Sequence, residues 1–186
     1  AEDEGSFTNS SRVIQWHWKA ADGPGESRSD IRIVSELFAR VRALYAKDGG
    51  AFPDPILKLT WNYTNPANPD PAEVLKEING YALEDLPDPA DPNRILLRAG
   101  QLLPAFALMR ADGKTAGGCW IYTGVYTEAG NISMKLDASD PTGKGVHPNW
   151  GFAWPANRRI LYNRASADAD GKPFTLETDG LLAVCI

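Results

Sequence analysis

Cysteine, histidine and methionine are scarce in this chain of 186 residues, which carries two of each. The two cysteines, Cys119 and Cys185, exclude a disulfide-built scaffold by count and leave room for one bridge at most. Neither has a second Cys or a His at ligand spacing, so no zinc or iron–sulfur site built by this chain alone is expected. Positive charge is not in excess. The formal net charge is −5, whereas a nucleic-acid binder shows a basic face. No membrane span is expected either. The most apolar stretch, Ile95 to Met109, is broken by Arg98, Gly100, Gln101 and Pro104, and a span needs about 20 mostly apolar residues. The opening Ala1-Glu2-Asp3-Glu4-Gly5 has neither the basic nor the apolar region of a signal peptide. With no initiator Met, the chain reads as beginning after processing or inside something larger.

Catalytic signatures are also missing. There is no Walker pattern, no G-x-G-x-x-G and no G-x-S-x-G elbow. His17 lies between Trp16 and Trp18 and reads as a packed or edge residue rather than a base. His147 precedes Pro148 in a loop, where a solvated imidazole is the ordinary outcome. The carboxylates are plentiful, but no spacing pairs them.

Turn-forming residues are abundant: 17 Gly and 14 Pro exceed the roughly 12% of average usage and predict long loops. The length suits one domain, or one domain with an appendage. Residues 12–19 alternate as a strand through Ile14, Trp16 and Trp18. Residues 31–46 form the clearest helix, with Ile31, Val34, Leu37, Phe38, Val41, Leu44 and Tyr45 at three- and four-residue steps. Ser29 or Asp30 caps its start and Gly49 its end, and Arg32, Glu36 and Arg40 make a wet face.

The Pro-rich stretch 50–69 predicts extended chain with a short strand around Ile56–Tyr63. A second helix runs from Asp70, with Pro71 at its first position and Glu73 at the capping-box site, to Asn79-Gly80. Residues 84–94 read as an acidic surface loop. Thr115 to Tyr126 is β-prone, and its glycines mark a bulge or close backbone approach. A turn-rich stretch spans 137–149, a short helix is expected over Asn157–Arg164, and Leu181–Ile186 is a bare apolar run. The six Trp residues read first as core and second as a carbohydrate platform. Asn9, Asn62 and Asn131 match the glycosylation pattern, a weak sign of a secreted chain.

The opening does resemble a known signature. Glu2, Gly5, Phe7, Thr8, Asn9, Arg12 and Gln15 match a motif of the molybdopterin oxidoreductases, with Ser6 at a usual Thr. Further segments resemble the large catalytic subunit of formate dehydrogenases of the periplasmic, anaerobic-respiratory kind. They are Gln15–Ala21, Gly25–Ile31, Arg42–Tyr45, Leu59–Tyr63, Gly118–Tyr122, Asp140–Gly143 and the aromatic-rich Asn149–Asp168. The likeness covers roughly residues 1–173. Met134–Ala138 departs from it, standing where relatives carry a more basic stretch, and the tail 174–186 diverges.

The resemblance implies a mixed α/β (α+β) fold: a partial region of a molybdopterin oxidoreductase catalytic subunit with long Pro/Gly-rich loops. Residues 1–49 would end one α/β domain, 50–114 form a Pro-rich insertion, 115–173 lead toward a C-terminal dinucleotide-binding domain, and 174–186 form a divergent tail. The implied reaction oxidises formate to carbon dioxide, or the reverse. The implied cofactors are Mo or W in bis(molybdopterin guanine dinucleotide), with a Sec or Cys ligand, and a [4Fe–4S] cluster, all in the parent subunit. The implied partners are the rest of the large subunit and an iron–sulfur (beta) subunit.

The family's metal-ligating Sec or Cys is followed by His, and neither Cys119-Trp120 nor Cys185-Ile186 has that form. No residue of this chain is therefore assigned a catalytic or metal-ligating role, and no cofactor-binding residue is named. The chain alone is expected to be inactive. One alternative is a non-catalytic segment packing on the iron–sulfur subunit through residues 50–93 or 150–154. Another is a secreted binding domain that uses its Trp residues.

Overall fold

A computed structural model describes residues 3–9, 13–119, 122–141, 143 and 147–153. The helix expected at 157–164, the tail, Cys185, Trp120 and Trp154 lie outside these residues. Strand β1 (Gly5–Thr8) pairs antiparallel with β2 (Ile14–His17), placing Ser6 opposite Trp16. Ile14 and Trp16 are buried while His17 is exposed, the alternation expected of a half-buried strand.

Helix α1 (Asp30–Asp48) begins where Ser29 accepts a hydrogen bond from the Arg32 N–H. It ends at Gly49, whose φ of 69° lets its N–H reach the Tyr45 carbonyl at 3.0 Å. Of the two candidate caps, Ser29 therefore serves. Glu36 accepts from Arg28 and Arg32 on the wet face. The apolar periodicity forms the helix, yet only Ser35 is buried along it. One arc is covered by Trp61, whose ring lies 4.3 Å from that of Phe38, and by Leu57, whose carbonyl accepts from Arg42.

Two expectations are corrected here. No strand forms over Ile56–Tyr63. A single-turn helix, α2 (Asp54–Leu57), stands at its start, with proline in the first turn where no N–H is missed. Lys58 follows as its cap and bonds Asp54 through backbone and side chain, and Trp61 and Tyr63 turn to α1 and the next helix instead of to a neighbouring strand.

The acidic loop expected at 84–94 is instead part of a ribbon, β4 (Leu86–Asp88) against β5 (Asp91–Leu97). Its prolines are tolerated because both strands of a two-stranded ribbon are edges. The register shifts on either side of Pro87, which has no N–H to give. Buried Leu86 and Leu97 anchor the ribbon, and Asp88 and Asp91 turn the chain by accepting from Ala90 and Asn93.

Helix α3 (Pro71–Asn79) follows the expected pattern, capped by Asp70 and closed by Gly80. Glu73 departs from it. Its carboxylate takes hydrogen bonds from Thr64 rather than closing a capping box. Strand β3 (Tyr81–Ala82) pairs with β6 (Thr115–Ala116), and β7 (Tyr126–Thr127) with β8 (Gly130–Asn131). The described residues thus form helices and four two-stranded antiparallel sheets, a mixed α/β fold. Two apolar clusters make the core. Ile14, Trp16, Leu75 and Val125 form one; Ala82, Leu86, Leu97 and Leu103 form the other.

Candidate functional site

Helix α3 receives parts of two segments that carry the family resemblance, at Tyr63 and at Gly118. The 59–64 segment is tied to it by Tyr63, whose hydroxyl donates to Glu77, and by Thr64, which donates to Glu73. Burial first, then the Glu77 carboxylate, pushes the Tyr63 phenol well above its ordinary value, so it stays protonated as the donor. Gly117 and Gly118 lie on the end of the same helix, where Gly118 N–H donates to the Glu77 carbonyl at 3.2 Å. A Cβ on Gly117 would sit 2.2 Å from that carbonyl oxygen, so only glycine permits the approach. Strand β2 receives the start of the aromatic stretch: Ile14 N–H donates to Gly151 O at 3.0 Å and Val13 bridges Phe152.

The pin of this assembly is Asn79, which is fully buried. Its amide nitrogen donates to the carbonyls of Leu103 (2.9 Å) and Gly80 (3.1 Å). Its oxygen accepts from the N–H groups of Gly124 (2.6 Å) and Tyr126 (3.1 Å). All four hydrogen-bonding positions of the side chain are filled. The sequence marks Asn79 only as a helix stop. Its main role is invisible there because three of its partners lie 24, 45 and 47 residues away. Lys76 adds a cation over the Tyr126 ring, 5.0 Å from its centre.

A cleft of about 300 Å³ opens between β1, the start of α1 and α3. Asp3, Glu4, Asp30 and His17 line its polar side, above Val74, Leu75 and Ile78. No Lys or Arg is among its lining residues. Carboxylate walls raise the energy of an anion brought near them, so the cleft does not suit a small carboxylate or the pyrophosphate of a dinucleotide. Among the described residues, no group of three or more His, Cys, Asp or Glu is placed to hold a metal ion. Cys119 is half-buried and free, and its carbonyl closes a tight turn by accepting from the N–H groups of Tyr122 and Thr123. The donors among the described residues therefore do not fit a molybdenum, tungsten or iron–sulfur centre.

The remaining candidates are dispersed. His17 stands exposed at a strand end, 6.1 Å from the Phe7 ring. His147 places Nδ1 2.9 Å from the Ala138 carbonyl, and the structure does not bring the two histidines together. Trp16 is core, Trp18 is half exposed and Trp61 braces α1, so these three do not form a shared platform. Asn131 does not suit a glycan. Its oxygen accepts from Ser133, and its amide nitrogen is buried without a partner, closed to any glycan-transferring enzyme once folded. Among the described residues no helix is long and apolar enough to cross a membrane.

No family model matches the chain. Individual relatives do. It is 52% identical over 175 residues to the nitrate-inducible formate dehydrogenase major subunit of Escherichia coli (strain K12). That match covers 94% of this chain and 17% of the relative. The formate dehydrogenase-O major subunit of the same organism is 50% identical over 174 residues, covering 94% and 17%. The formate dehydrogenase subunit alpha of Megalodesulfovibrio gigas is 41% identical over 181 residues, covering 95% and 18%. The chain thus spans about a sixth of the length of the relatives it matches.

Proposed function

We propose that this chain is a partial segment of the catalytic subunit of a formate dehydrogenase, on the strength of its 50–52% identity to such major subunits, and that it is a bracing element of that subunit rather than the seat of its chemistry. One observation carries the reading. Helix α3 takes the strap at Tyr63 and Thr64 and the backbone of Gly118, and buried Asn79 at its end fastens Leu103, Gly124 and Tyr126, while among the described residues no side chains group to hold a metal ion.

The parent subunit oxidises formate to carbon dioxide, releasing a proton and an electron pair. On this reading, the Mo or W bis(molybdopterin guanine dinucleotide) and the [4Fe–4S] cluster that such chemistry requires would be held by stretches of the subunit outside these residues. The part played by this chain is positional: a rigid backbone limits movement of the elements packed on it, and misplacement of about 1 Å at a reacting centre can cost about a hundredfold in rate. The reading carries a periplasmic location with it, on the strength of the resemblance to the respiratory enzymes.

The test uses the full subunit. Asn79→Leu is expected to lower bound Mo or W and formate-dependent dye reduction in parallel, with KM for formate unchanged in the surviving fraction. Full metal content with lost turnover would move the segment into the reaction itself. Turnover or bound metal in the isolated 186-residue chain would overturn the reading outright.

A second reading, docking of the iron–sulfur beta subunit, draws on the exposed first five residues of β5. Shortening the turn at 88–93 should then abolish co-purification of that subunit; retained co-purification excludes this surface.

A further inference from the structure

Helix α1 presents three faces. Ile31, Ser35, Phe38, Arg42 and Tyr45 form the arc that is buried or half-buried, against Trp61 and Leu57. Arg32, Glu36, Arg40, Ala43 and Lys47 form the charged arc, Arg40 at its border with the next face. Between them Ile33, Val34, Leu37, Val41 and Leu44 recur at one-, three- and four-residue steps as an uncharged stripe about three turns long. Four of these side chains are open to solvent: Ile33 49%, Val34 54%, Leu37 61% and Leu44 58%. Four residues past the helix, Phe52 is 86% exposed and holds φ at 60°, a region costly for a bulky residue unless surrounding contacts fix it.

We infer that this stripe is the docking face for another stretch of the same subunit polypeptide, one that presents its own uncharged apolar surface. The inference rests on the family reading above, under which most of the polypeptide lies outside the matched region, since the match covers only 17% of the relative. The size of the stripe selects the occupant. A separate chain, or a second copy of this one, loses translational and rotational freedom on association. Interfaces that offset this loss engage about 20–30 residues a side. Five aliphatic side chains fall far short of that. A tethered segment of the same chain has an effective concentration that makes so small a patch sufficient. The chemistry of the stripe agrees, since continuous apolar character without charge belongs to a domain interior rather than to an exchangeable surface.

The test is thiol labelling in the full-length subunit, read as maleimide mass on the α1 peptide. Leu37→Cys, and Val34→Cys as a second position should the first disturb folding, are compared with Ala43→Cys on the charged arc. In the subunit purified without its iron–sulfur partner, the stripe cysteines should label at least tenfold more slowly than Ala43→Cys, and at the same rate in urea. Equal labelling in the native subunit overturns the inference. So does protection that appears only with the iron–sulfur subunit bound, or only as protein concentration rises, because the occupant is then a separate chain or a second copy. The Mo or W content of the same preparations tests the family reading separately.

Discussion

The two long helices solve opposite problems. Helix α3 has nine residues and buries Leu75 and Asn79, receives straps from residues 63 and 64, and takes Gly118 onto its last turn. Helix α1 has 19 residues, caps at both ends and a longer apolar pattern, yet buries only Ser35. Length and periodicity decide whether a helix forms; burial is decided by what lies opposite. In α3 the opposing surfaces belong to this chain. In α1 one arc is matched by Trp61 and the other faces solvent. The first helix organises a finished core, and the second is half of an interface.

The sharpest way to break this comparison is to remove the pin. Asn79→Leu keeps most of the volume but leaves Gly124 N–H, Tyr126 N–H and the Leu103 carbonyl without partners in a buried site. Each orphaned group costs about 1–3 kcal/mol. Destabilisation of about 3–5 kcal/mol is expected, with hydrogen exchange at the Gly124 and Tyr126 amides accelerated accordingly. Unchanged protection at those amides would show that the loops are held by other contacts and that α3 is no hub.

A pair of leucines gives the next effect. Leu75 is 3% exposed and Leu37 is 61% exposed. In the 186-residue chain, Leu75→Ala should cost about 2–4 kcal/mol, the usual result of opening a core cavity. Leu37→Ala should cost less than about 0.5 kcal/mol, as for an ordinary surface change. Urea denaturation of the two variants measures both. In the full subunit the two costs should approach each other as the α1 stripe becomes covered. A large cost for Leu37→Ala in the short chain would instead give α1 a partner within these residues.

What the sequence reveals follows the same division. The caps of α3 and both ends of α1 are legible because Ser29, Asp70, Pro71, Gly49 and Gly80 act on backbone groups within four residues. The 86–97 ribbon is not, because Pro87, Pro89 and Pro92 speak for a loop while the pairing is set by the burial of Leu86 opposite Leu97, 11 residues apart. The strand expected near Ile56–Tyr63 fails for the same reason. Alternating residues there meet helices rather than a strand. Glycines 117 and 118 do announce a close backbone approach, but not that the partner is the Glu77 carbonyl. The bracing site is built from such long-range contacts, which is why Asn79 reads only as punctuation.

The smallest effect lies at the surface, where the ribbon has an acid-sensitive latch. Asp85 accepts from the Ala99 N–H and from Arg98 Nη1, both at 2.9 Å. The backbone hydrogen bond first, and the Arg98 guanidinium next, hold its carboxyl below the ordinary 3.8. A carboxyl whose folded value is depressed contributes stability above its unfolded value and loses it as pH falls through the lower, folded one. The protection of the Ala99 amide relative to its intrinsic exchange rate should therefore hold constant down to about pH 3.8 and fall only below it. Asp85→Asn keeps an acceptor for Ala99 but cannot titrate, so the variant should show no such step. Glu36 on α1, held low chiefly by its hydrogen bond from Arg32, should be untouched by the Asp85 change, since its partners Arg28 and Arg32 lie on or just before α1. An acid step that survives in Asp85→Asn would assign the latch to another carboxylate. A shift at Glu36 would show that α1 and the ribbon are coupled and so weaken the contrast between a finished core and an unfinished face.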